Sequence, residues 1–312
     1  MKSSNIGGQA VMEGIMMKSG DQYAIGVRKP DGEIEVKVEP YKSWAKDSSI
    51  WKLPIFRGVA SFFESLIIGI KCLMYSASFI EDEEENPKEK EKTQEQKDRE
   101  NKWLMYGTMT FSVIFSIGLF ILLPYFLASM LRSVTASEGV VAVAEACARM
   151  LLFLGYLLLI SRMKDIQRVF MYHGAEHKCI NCVEHGMELN VENVLKSSRE
   201  HKRCGTSFLL FVMIVSIIFF LFIRVSSPLW RVVVRLLLMP VIAGVSYEFI
   251  RLAGKTDNKV VDLMSKPGMM LQRLTTKEPD AEMAEVAIAA VEAVFDWKSY
   301  LKENFPEQYG EQ

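Results

Sequence analysis

The chain has 312 residues, half of them hydrophobic, and its formal net charge is −1. The near-zero charge provides no overall basic field of the kind that attracts nucleic acid, so we expect no nucleic-acid partner. The opening stretch MKSSNIGGQAVMEG is polar and glycine-rich, unlike a secretory signal. Five cysteines are an odd number and do not suggest a disulfide framework. We therefore expect the cysteine cluster to face a reducing cytosol.

The first 49 residues are expected to form a small β unit. The segments YAIGVRKP and EIEVKVEP alternate apolar and polar residues, and Asp31-Gly32 between them is a strong hairpin signal. The preceding stretch GGQAVMEG favours a strand with close backbone approaches at its glycines. The alternative is a loop that cradles a ligand, with Gln9 and Glu13 as its polar groups. A unit of this size is unstable alone, so we expect it to dock on another part of the chain.

A long apolar segment and a charged linker follow. Within Ile50–Ile80, Arg57, Glu64 and Lys71 recur every seven residues and therefore share one face of a helix. This pattern favours a helix at the membrane surface with its charges toward water. A transmembrane helix is the alternative, but it would place two charges at membrane depth, which is costly. The segment Glu81–Lys102 has no apolar residue except a proline and is expected to be a solvated linker or a frayed helix.

Four later segments are long and apolar enough to cross a bilayer core of about 30 Å. They are Leu104–Leu131, Val140–Ile160, Phe208–Ile223 and Leu229–Ile250. Lysine and arginine are concentrated in segments 81–102, 161–206 and 251–277, which hold six, eight and six of them. By the positive-inside tendency, both termini and the 161–206 loop face the cytoplasm. Glu145 and Arg149 are four residues apart in the second span and suggest either a functional or a structural ion pair.

These patterns predict an α-helical polytopic membrane protein with four transmembrane helices, a small N-terminal β unit and a C-terminal cytosolic helix. The expected C-terminal helix covers Met283–Val294 and begins near Asp280. The lipid bilayer is the expected partner, and the uncommitted apolar faces of the spans allow a homo-oligomer. The expected parts are 1–49 (β unit), 50–102 (interfacial helix and charged linker), 103–250 (membrane domain with the cytosolic His/Cys loop 161–206) and 251–312 (C-terminal helical segment).

All four histidines and three of the five cysteines fall within Tyr172–Ser207. Imidazole and thiolate are the side chains that bind borderline-soft metals such as zinc. His173, Glu176 and His177 form H-x-x-E-H, the inverted zinc-protease signature, and these positions share one face of a helix. In such a site the two histidines bind zinc and the glutamate is the general base, a role that falls here to Glu176.

The remaining ligands must come from elsewhere in the chain, and His201 and Cys204 are the nearest candidates. A competing arrangement is a closed structural zinc site, in which Cys179-x2-Cys182 joins the same two residues. A third arrangement places both H-x-x-E-H histidines with His201 and Cys204 around one metal, with Glu176 outside the ligand set. Since Cys204 precedes a predicted helix, its thiol is also a candidate for reactivity instead of ligation.

Four motifs resemble the YqhQ-like bacterial membrane proteins: GGQAVMEGIMM, MYHGAEHKCIN, HKRCGTSF and PGMMLQRLTTKEPDAEMAEVAI. This family is a domain of unknown function that is sometimes labelled as predicted metal-dependent enzymes, and the resemblance covers nearly the whole chain. It implies a bacterial inner-membrane location and dependence on a metal. It also implies that the ligands are three motif histidines and one motif cysteine, His173, His177, His201 and Cys204. Cys179 and Cys182 lie outside the core of the family pattern, which favours the histidine-centred site.

The leading hypothesis is therefore a metal-dependent membrane hydrolase at the cytoplasmic face, with a divalent zinc-type ion, Glu176 as general base and an unknown substrate. The alternative is a non-enzymatic membrane scaffold or transport protein with a structural metal site. Transport is less favoured, because polar residues are scarce along the spans apart from Glu145, Arg149 and Arg235.

Overall fold

The computed structural model describes residues 2–43, 49–81, 94–223, 225, 227–254 and 258–309. The chain forms two compact units. The first, which we call the site unit, comprises Met1–Ile80, Ile160–Val212 and Pro240–Gln312. The second, the helical unit, comprises Glu81–Leu159 and Met213–Met239. Residues 82–93 of the expected linker or frayed helix lie outside the described residues, whereas residues 94–102 are helical. Arg224 also lies outside the described residues.

The N-terminal part of the site unit is an antiparallel sheet in the order β1-β2-β3-β4. Its strands are β1 Gly7–Val11, β2 Gly14–Ser19, β3 Gln22–Arg28 and β4 Ile34–Pro40. The predicted hairpin is confirmed, because β3 pairs with β4 from Gln22↔Pro40 to Arg28↔Ile34. In its turn Gly32 has φ 88°, a left-handed conformation that favours glycine. The glycine-rich start of the chain forms a second hairpin, β1 with β2.

Helices make up most of the remaining described chain. A π-helical turn, Gly118–Leu122, joins α2 to α3, and single 3₁₀ turns cover Ile50–Lys52 and Met130–Ser133. The helices are α1 Phe56–Glu81, α2 Gln94–Ile117, α3 Leu123–Ser129, α4 Glu138–Ile160, α5 Lys164–Glu184, α6 Val191–Lys196, α7 Gly205–Phe222, α8 Pro228–Ala253, α9 Lys259–Thr275, α10 Ala281–Glu292, α11 Trp297–Asn304 and α12 Pro306–Tyr309.

The sheet of the site unit is covered on both faces. On one face, Ile15 and Met17 of β2 share a buried core with Tyr172 of α5 and with the apolar side of α10. On the other face, β-strand side chains such as Ile25 pack with Cys72 and its neighbours on α1. The expected docking of the β unit and the expected C-terminal helix are thus confirmed. The Asp280 carboxylate caps α10 by accepting the Met283 N–H at 2.8 Å.

Among the described residues, five helices are long and apolar enough to cross a membrane, one more than the sequence patterns suggested. They are Phe56–Ile80, Tyr106–Ser133, Glu138–Ile160, Gly205–Phe222 and Leu229–Ala253. The additional one lies in α1, whose periodic charges were expected to face water. Arg57 pairs with Glu248, and Glu64 contacts Tyr41. Lys71 contacts Glu39, and its side chain is 58% exposed. The count differs from four because α1 meets the length and hydropathy criteria of a span in spite of its three charges.

Helix α5 lies very close to the segment that follows α9, with Gly174 at the point of contact. A Cβ atom at Gly174 would be 2.0 Å from the Lys277 carbonyl oxygen. The same segment is held to α5 by the Lys277 N–H, which donates to the Phe170 carbonyl at 2.9 Å. Only glycine permits this approach, because the atom opposite is backbone and cannot rotate away.

We therefore expect Gly174→Ala to lower the free energy of unfolding by about 1–3 kcal/mol, the usual cost of overpacking. At a helix position with no close neighbour the same change stabilises the protein, because alanine is the better helix former. Gly155→Ala is the matched control, since nothing lies within 4 Å of a Cβ atom there. Thermal unfolding of both variants in detergent measures the difference. Equal melting temperatures for the two variants would show that the contact at Gly174 is not tight.

Candidate metal centre

Three of the four predicted ligands come together in the site unit. The ligand atoms of His173, His177 and Cys204 all lie within 4.8 Å of one another. The Cys204 Sγ is 3.2 Å from the His173 Nε2, and the centroids of the two imidazole rings are 4.4 Å apart. The histidines share one face of α5 because they are four residues apart. Cys204 directly precedes α7 and is buried, as is His177.

Each of these two histidines is held by its other ring nitrogen. The His173 Nδ1 is 2.8 Å from the Thr275 carbonyl oxygen, and the His177 Nδ1 is 2.6 Å from the Arg199 carbonyl oxygen. A carbonyl oxygen only accepts hydrogen bonds, so we assign the proton of each ring to Nδ1. That assignment leaves the Nε2 lone pairs available on the side of Cys204. Metal-ligating histidines in proteins are typically oriented in this way.

His201 lies beside this group but is turned away from it. Its Nε2 is 3.3 Å from the Glu184 carboxylate, and its Nδ1 accepts the Arg203 N–H at 3.3 Å. The centroid of its ring is 5.9 Å from that of His177. In this conformation both nitrogens of His201 have protein partners, and the residue supports the centre without joining the converging atoms.

Cys179 and Cys182 do not join the group either. Both are fully buried in the core between the sheet, α5 and α10. The Cys182 thiol lies 3.3 Å from the Glu188 carbonyl oxygen. Within the described part of the chain, the only group of three or more potential metal ligands is His173, His177 and Cys204. The structure therefore does not assemble the closed zinc site that the Cys-x2-Cys spacing suggested.

Glu176, the candidate general base, borders a cavity of about 300 Å³ together with the converging residues. Its side chain is buried and lies against strand β1, where a Cβ atom at Gly8 would be 2.7 Å from the Glu176 Cγ. The glycine therefore lets the strand come close to the carboxyl group. Residues 6–10 form one wall of the cavity, and Cys204–Thr206 contribute to another. The close backbone approach expected for the N-terminal glycines is found at this position.

The side chains by themselves favour a thiolate at Cys204 beside a protonated His173, and an ion bound here would displace the proton from the His173 Nε2. Burial lowers the pKa of His173, but the neighbouring Cys204 outweighs this effect and raises the pKa to about 9. Burial raises the pKa of the Cys204 thiol, but His173 and His177 lower it to well below its usual value. The Thr206 N–H at the start of α7 also points at the Cys204 Sγ, at 3.4 Å. The thiolate is the form that binds metals and the form that acts as a nucleophile.

The carboxyl group of Glu176 responds mainly to its burial. Removal from water raises the pKa of Glu176, although the nearby histidines act in the opposite direction. A carboxyl group with a raised pKa accepts a proton more readily near neutral pH than an exposed one.

Glu184 is a residue of the centre that the sequence analysis did not identify. Its fully buried carboxylate accepts hydrogen bonds from the Ser4 N–H at 2.7 Å and the Ser4 hydroxyl at 2.8 Å. It also contacts His201 and the Arg203 guanidinium, and so holds the segment that leads to Cys204. Burial raises the pKa of Glu184, but His201 and Arg203 outweigh this effect and lower it. One signal was available: Glu184 lies seven residues, about two turns, after His177 and shares its face of α5.

Residues 53–297 of the chain match the model of a family described as "Protein of unknown function (DUF1385)". This match covers more than three quarters of the sequence and includes every residue of the candidate centre. The chain belongs to the DUF1385 family. The "Uncharacterized protein YqhQ" of Bacillus subtilis (strain 168) is 37% identical over 304 residues, which are 96% of this chain and 94% of the relative. The resemblance seen in the four sequence motifs is thus confirmed.

No solved structure matches this DUF1385 protein. Neither the family description nor the name of the relative states an activity. Family membership therefore shows that the two proteins are related and indicates no reaction. Any statement about chemistry depends on the residues of the centre.

Proposed function

We propose that this DUF1385 protein is a metal-dependent hydrolase at the cytoplasmic face of the bacterial inner membrane, with a zinc-type ion held by His173, His177 and Cys204. The observation that carries the proposal is the convergence of these three side chains, with both histidines anchored through Nδ1, beside a cavity that Glu176 borders. Three protein ligands are the usual number in catalytic zinc sites, whereas structural sites have four. The donor set therefore fits a catalytic ion.

A divalent ion in this centre would supply Lewis-acid chemistry, polarising a bound carbonyl or phosphoryl group and making water more acidic. The residues of the chain would supply the proton transfers. Glu176 would accept the proton of the attacking water and then deliver it to the leaving group. The position of its carboxyl group is held by the packing against Gly8. His201, held by Glu184, would border the reacting groups without binding the ion.

The sheet edge beside the cavity favours an extended peptide as the substrate class within this proposal. Strand β1 is one of the two edge strands, and Gly7–Ala10 border the cavity. An edge strand presents main-chain N–H and C=O groups to which an extended peptide can add as a further strand. A peptide added there would pass beside Glu176, which contacts the same strand.

A second candidate chemistry uses Cys204 as a nucleophile. The 3.2 Å separation between the Cys204 Sγ and the His173 Nε2 is a geometry suited to a cysteine–histidine pair. In that case the thiolate would attack the substrate carbonyl and His173 would protonate the leaving group. Activity that survives complete chelation but is lost in Cys204→Ser would favour this candidate over the metal-dependent one.

We propose that four of the five candidate helices cross the membrane and that α1 lies at its cytoplasmic surface. The sheet and α5 share one core and so lie on the same side of the bilayer. The number of crossings between them in the chain is therefore even. The helices Tyr106–Ser133 and Glu138–Ile160 supply two crossings, and a crossing by α1 would make three. Helix α1 packs one face on the sheet and exposes residues such as Phe63, Leu66 and Ile67 for contact with lipid.

Metal analysis tests the proposal most directly. Protein purified without a histidine tag is expected to contain about one equivalent of zinc per chain, the stoichiometry of a single three-ligand site. The double variant His173→Ala/His177→Ala is expected to lose the metal, because one thiolate alone cannot hold it. His185→Ala is the matched control, since His185 is exposed and bonds only to the Asn181 carbonyl among the described residues.

Other results of the metal analysis would contradict the proposed ligands or favour a different function. Equal metal contents in the double variant and the control would contradict the proposed ligands. If chelation lowers the melting temperature of the native protein but no hydrolysis is found with any substrate, the non-enzymatic scaffold with a structural metal is favoured instead.

A further inference from the structure

The helical unit contains a buried charge cluster in which two guanidinium groups share one carboxylate. The Glu145 carboxylate of α4 accepts a hydrogen bond from the Arg149 Nη2 at 2.6 Å. The two terminal nitrogens of Arg235 on α8 lie 2.5 and 3.0 Å from the same carboxylate. The side chains of all three residues are at most 9% exposed. The cluster is therefore a buried ion triad with one excess positive charge.

This excess charge lies within candidate membrane-spanning helices. Glu145 and Arg235 each lie seven residues after the start of their helices, which is about 10 Å at 1.5 Å per residue. An uncompensated guanidinium at such a depth in hydrocarbon is costly. The rings of Phe220 and Tyr125 lie 4.8 and 5.8 Å from the Arg235 guanidinium, and such cation–π contacts offset only part of that cost.

A cavity of about 390 Å³ adjoins the triad on the side of Arg235. Its charged wall consists of Glu145, Arg235, Arg231 and the ion pair of Arg132 with Glu138. Arg231 donates two hydrogen bonds to the Val225 carbonyl, a neutral acceptor, at 3.0 and 2.7 Å. The described residues that border the cavity thus provide three guanidiniums and two carboxylates, so the wall has a net positive charge.

We infer that this cavity binds a phosphate-bearing anion, and that the headgroup of an anionic phospholipid is its source. Guanidinium groups bind phosphate oxygens with charge-assisted hydrogen bonds in a fixed, often bidentate geometry. The cavity is larger than a phosphate ion requires, and Val141, Ala142 and Leu221 provide an apolar wall for the rest of a lipid. The bound anion neutralises the excess charge that the protein leaves on Arg235. This site is independent of the metal centre.

The inference is tested with the full-length protein in a neutral detergent, by thermal unfolding with added lipid. Short-chain phosphatidylglycerol is expected to raise the melting temperature by several degrees, and short-chain phosphatidylcholine is expected to have no comparable effect. Arg235→Gln is expected to raise the half-saturating phosphatidylglycerol concentration at least about tenfold, the loss expected for one charge-assisted hydrogen bond. This variant keeps the one-to-one pair of Glu145 with Arg149, so we expect it to fold.

Glu138→Gln provides a control with the opposite expected direction. It removes a carboxylate from the same cavity wall, and we expect it to lower the half-saturating concentration. A purely structural triad would leave the lipid response of both variants unchanged. If Arg235→Gln does not fold, Arg231→Gln replaces it, because Arg231 borders the cavity outside the triad.

Inorganic phosphate distinguishes the two sources of the anion. If phosphate alone reproduces the stabilisation and competes with the lipid, the site binds a soluble phosphate compound, and the lipid source is wrong. Equal stabilisation by the two lipids, or a phosphatidylglycerol response that persists unchanged in Arg235→Gln, would overturn the inference.

Discussion

Replacement of Glu176 by glutamine is expected to lower the rate of hydrolysis by about 10²–10⁴-fold, the contribution that a positioned general base usually makes. Glutamine has nearly the same shape, so the packing against Gly8 is retained and the neighbouring ligands stay in place. Its amide cannot accept the proton of the attacking water. A quenched fluorescent peptide and chromogenic esters, incubated with purified protein, provide the measurement.

The metal content of Glu176→Gln should equal that of the native protein, because Glu176 is not one of the converging ligands. Glu188→Gln is the matched control: Glu188 is exposed, and the same substitution there should leave the rate unchanged. Any hydrolysis that proceeds at the native rate in Glu176→Gln would show that another group moves the proton, and the proposed mechanism would be wrong.

Replacement of Glu184 by alanine is expected to lower the free energy of unfolding by about 3–5 kcal/mol, the cost of removing one partner of a buried ion pair. The substitution leaves the Arg203 guanidinium without its carboxylate, and the Ser4 N–H without its acceptor. Because Glu184 also contacts His201, the segment before Cys204 should lose its position, and metal binding should weaken with it. Thermal unfolding and metal analysis of the same samples measure both effects.

The effect of Glu184→Ala should depend on pH in a defined direction. The pKa of Glu184 is lowered in the folded protein, so its carboxylate stabilises the fold above the ordinary glutamate pKa of about 4.3. This stabilisation is lost as the pH falls through the folded-state pKa. The difference between native protein and variant should therefore be largest near neutral pH and shrink below about pH 4. A difference that grows in acid would contradict the assigned role, and Glu188→Ala serves as the exposed control.

Local patterns predicted the elements of the fold, and they did so because short-range geometry decides them. Asp31-Gly32 between alternating segments specified the β3–β4 hairpin, since a tight turn needs residues that accept its backbone angles. Asp280 before an apolar periodic stretch specified α10. The structure has five helices apolar enough to span, because α1 is long and apolar enough in spite of Arg57, Glu64 and Lys71. The pairing partners of these three charges were not predictable, because they are distant in the chain.

The candidate centre was predictable only in part, because some of its residues are near one another in the chain and others are not. The spacing of His173 and His177 is a property of one helix, and their shared face followed from it. The choice between His201 and Cys204 was not readable from spacing, because both lie just before α7 and only three residues apart. The buried carboxylate of Glu184 makes the difference, since it contacts His201 and leaves Cys204 to meet the other two residues.

The amino-acid pattern alone thus identified the hairpin, the C-terminal helix, the apolar helices and the pair of histidines on α5, since each depends on residues that are neighbours in the chain. Tertiary contacts decided the rest: that Cys204 and not His201 approaches those histidines, that Glu176 packs on Gly8, and that α1 covers the sheet. These contacts join residues that are far apart in the chain. Which of them form depends on how the buried polar groups pair in hydrogen bonds and ion pairs. A linear pattern does not contain that information.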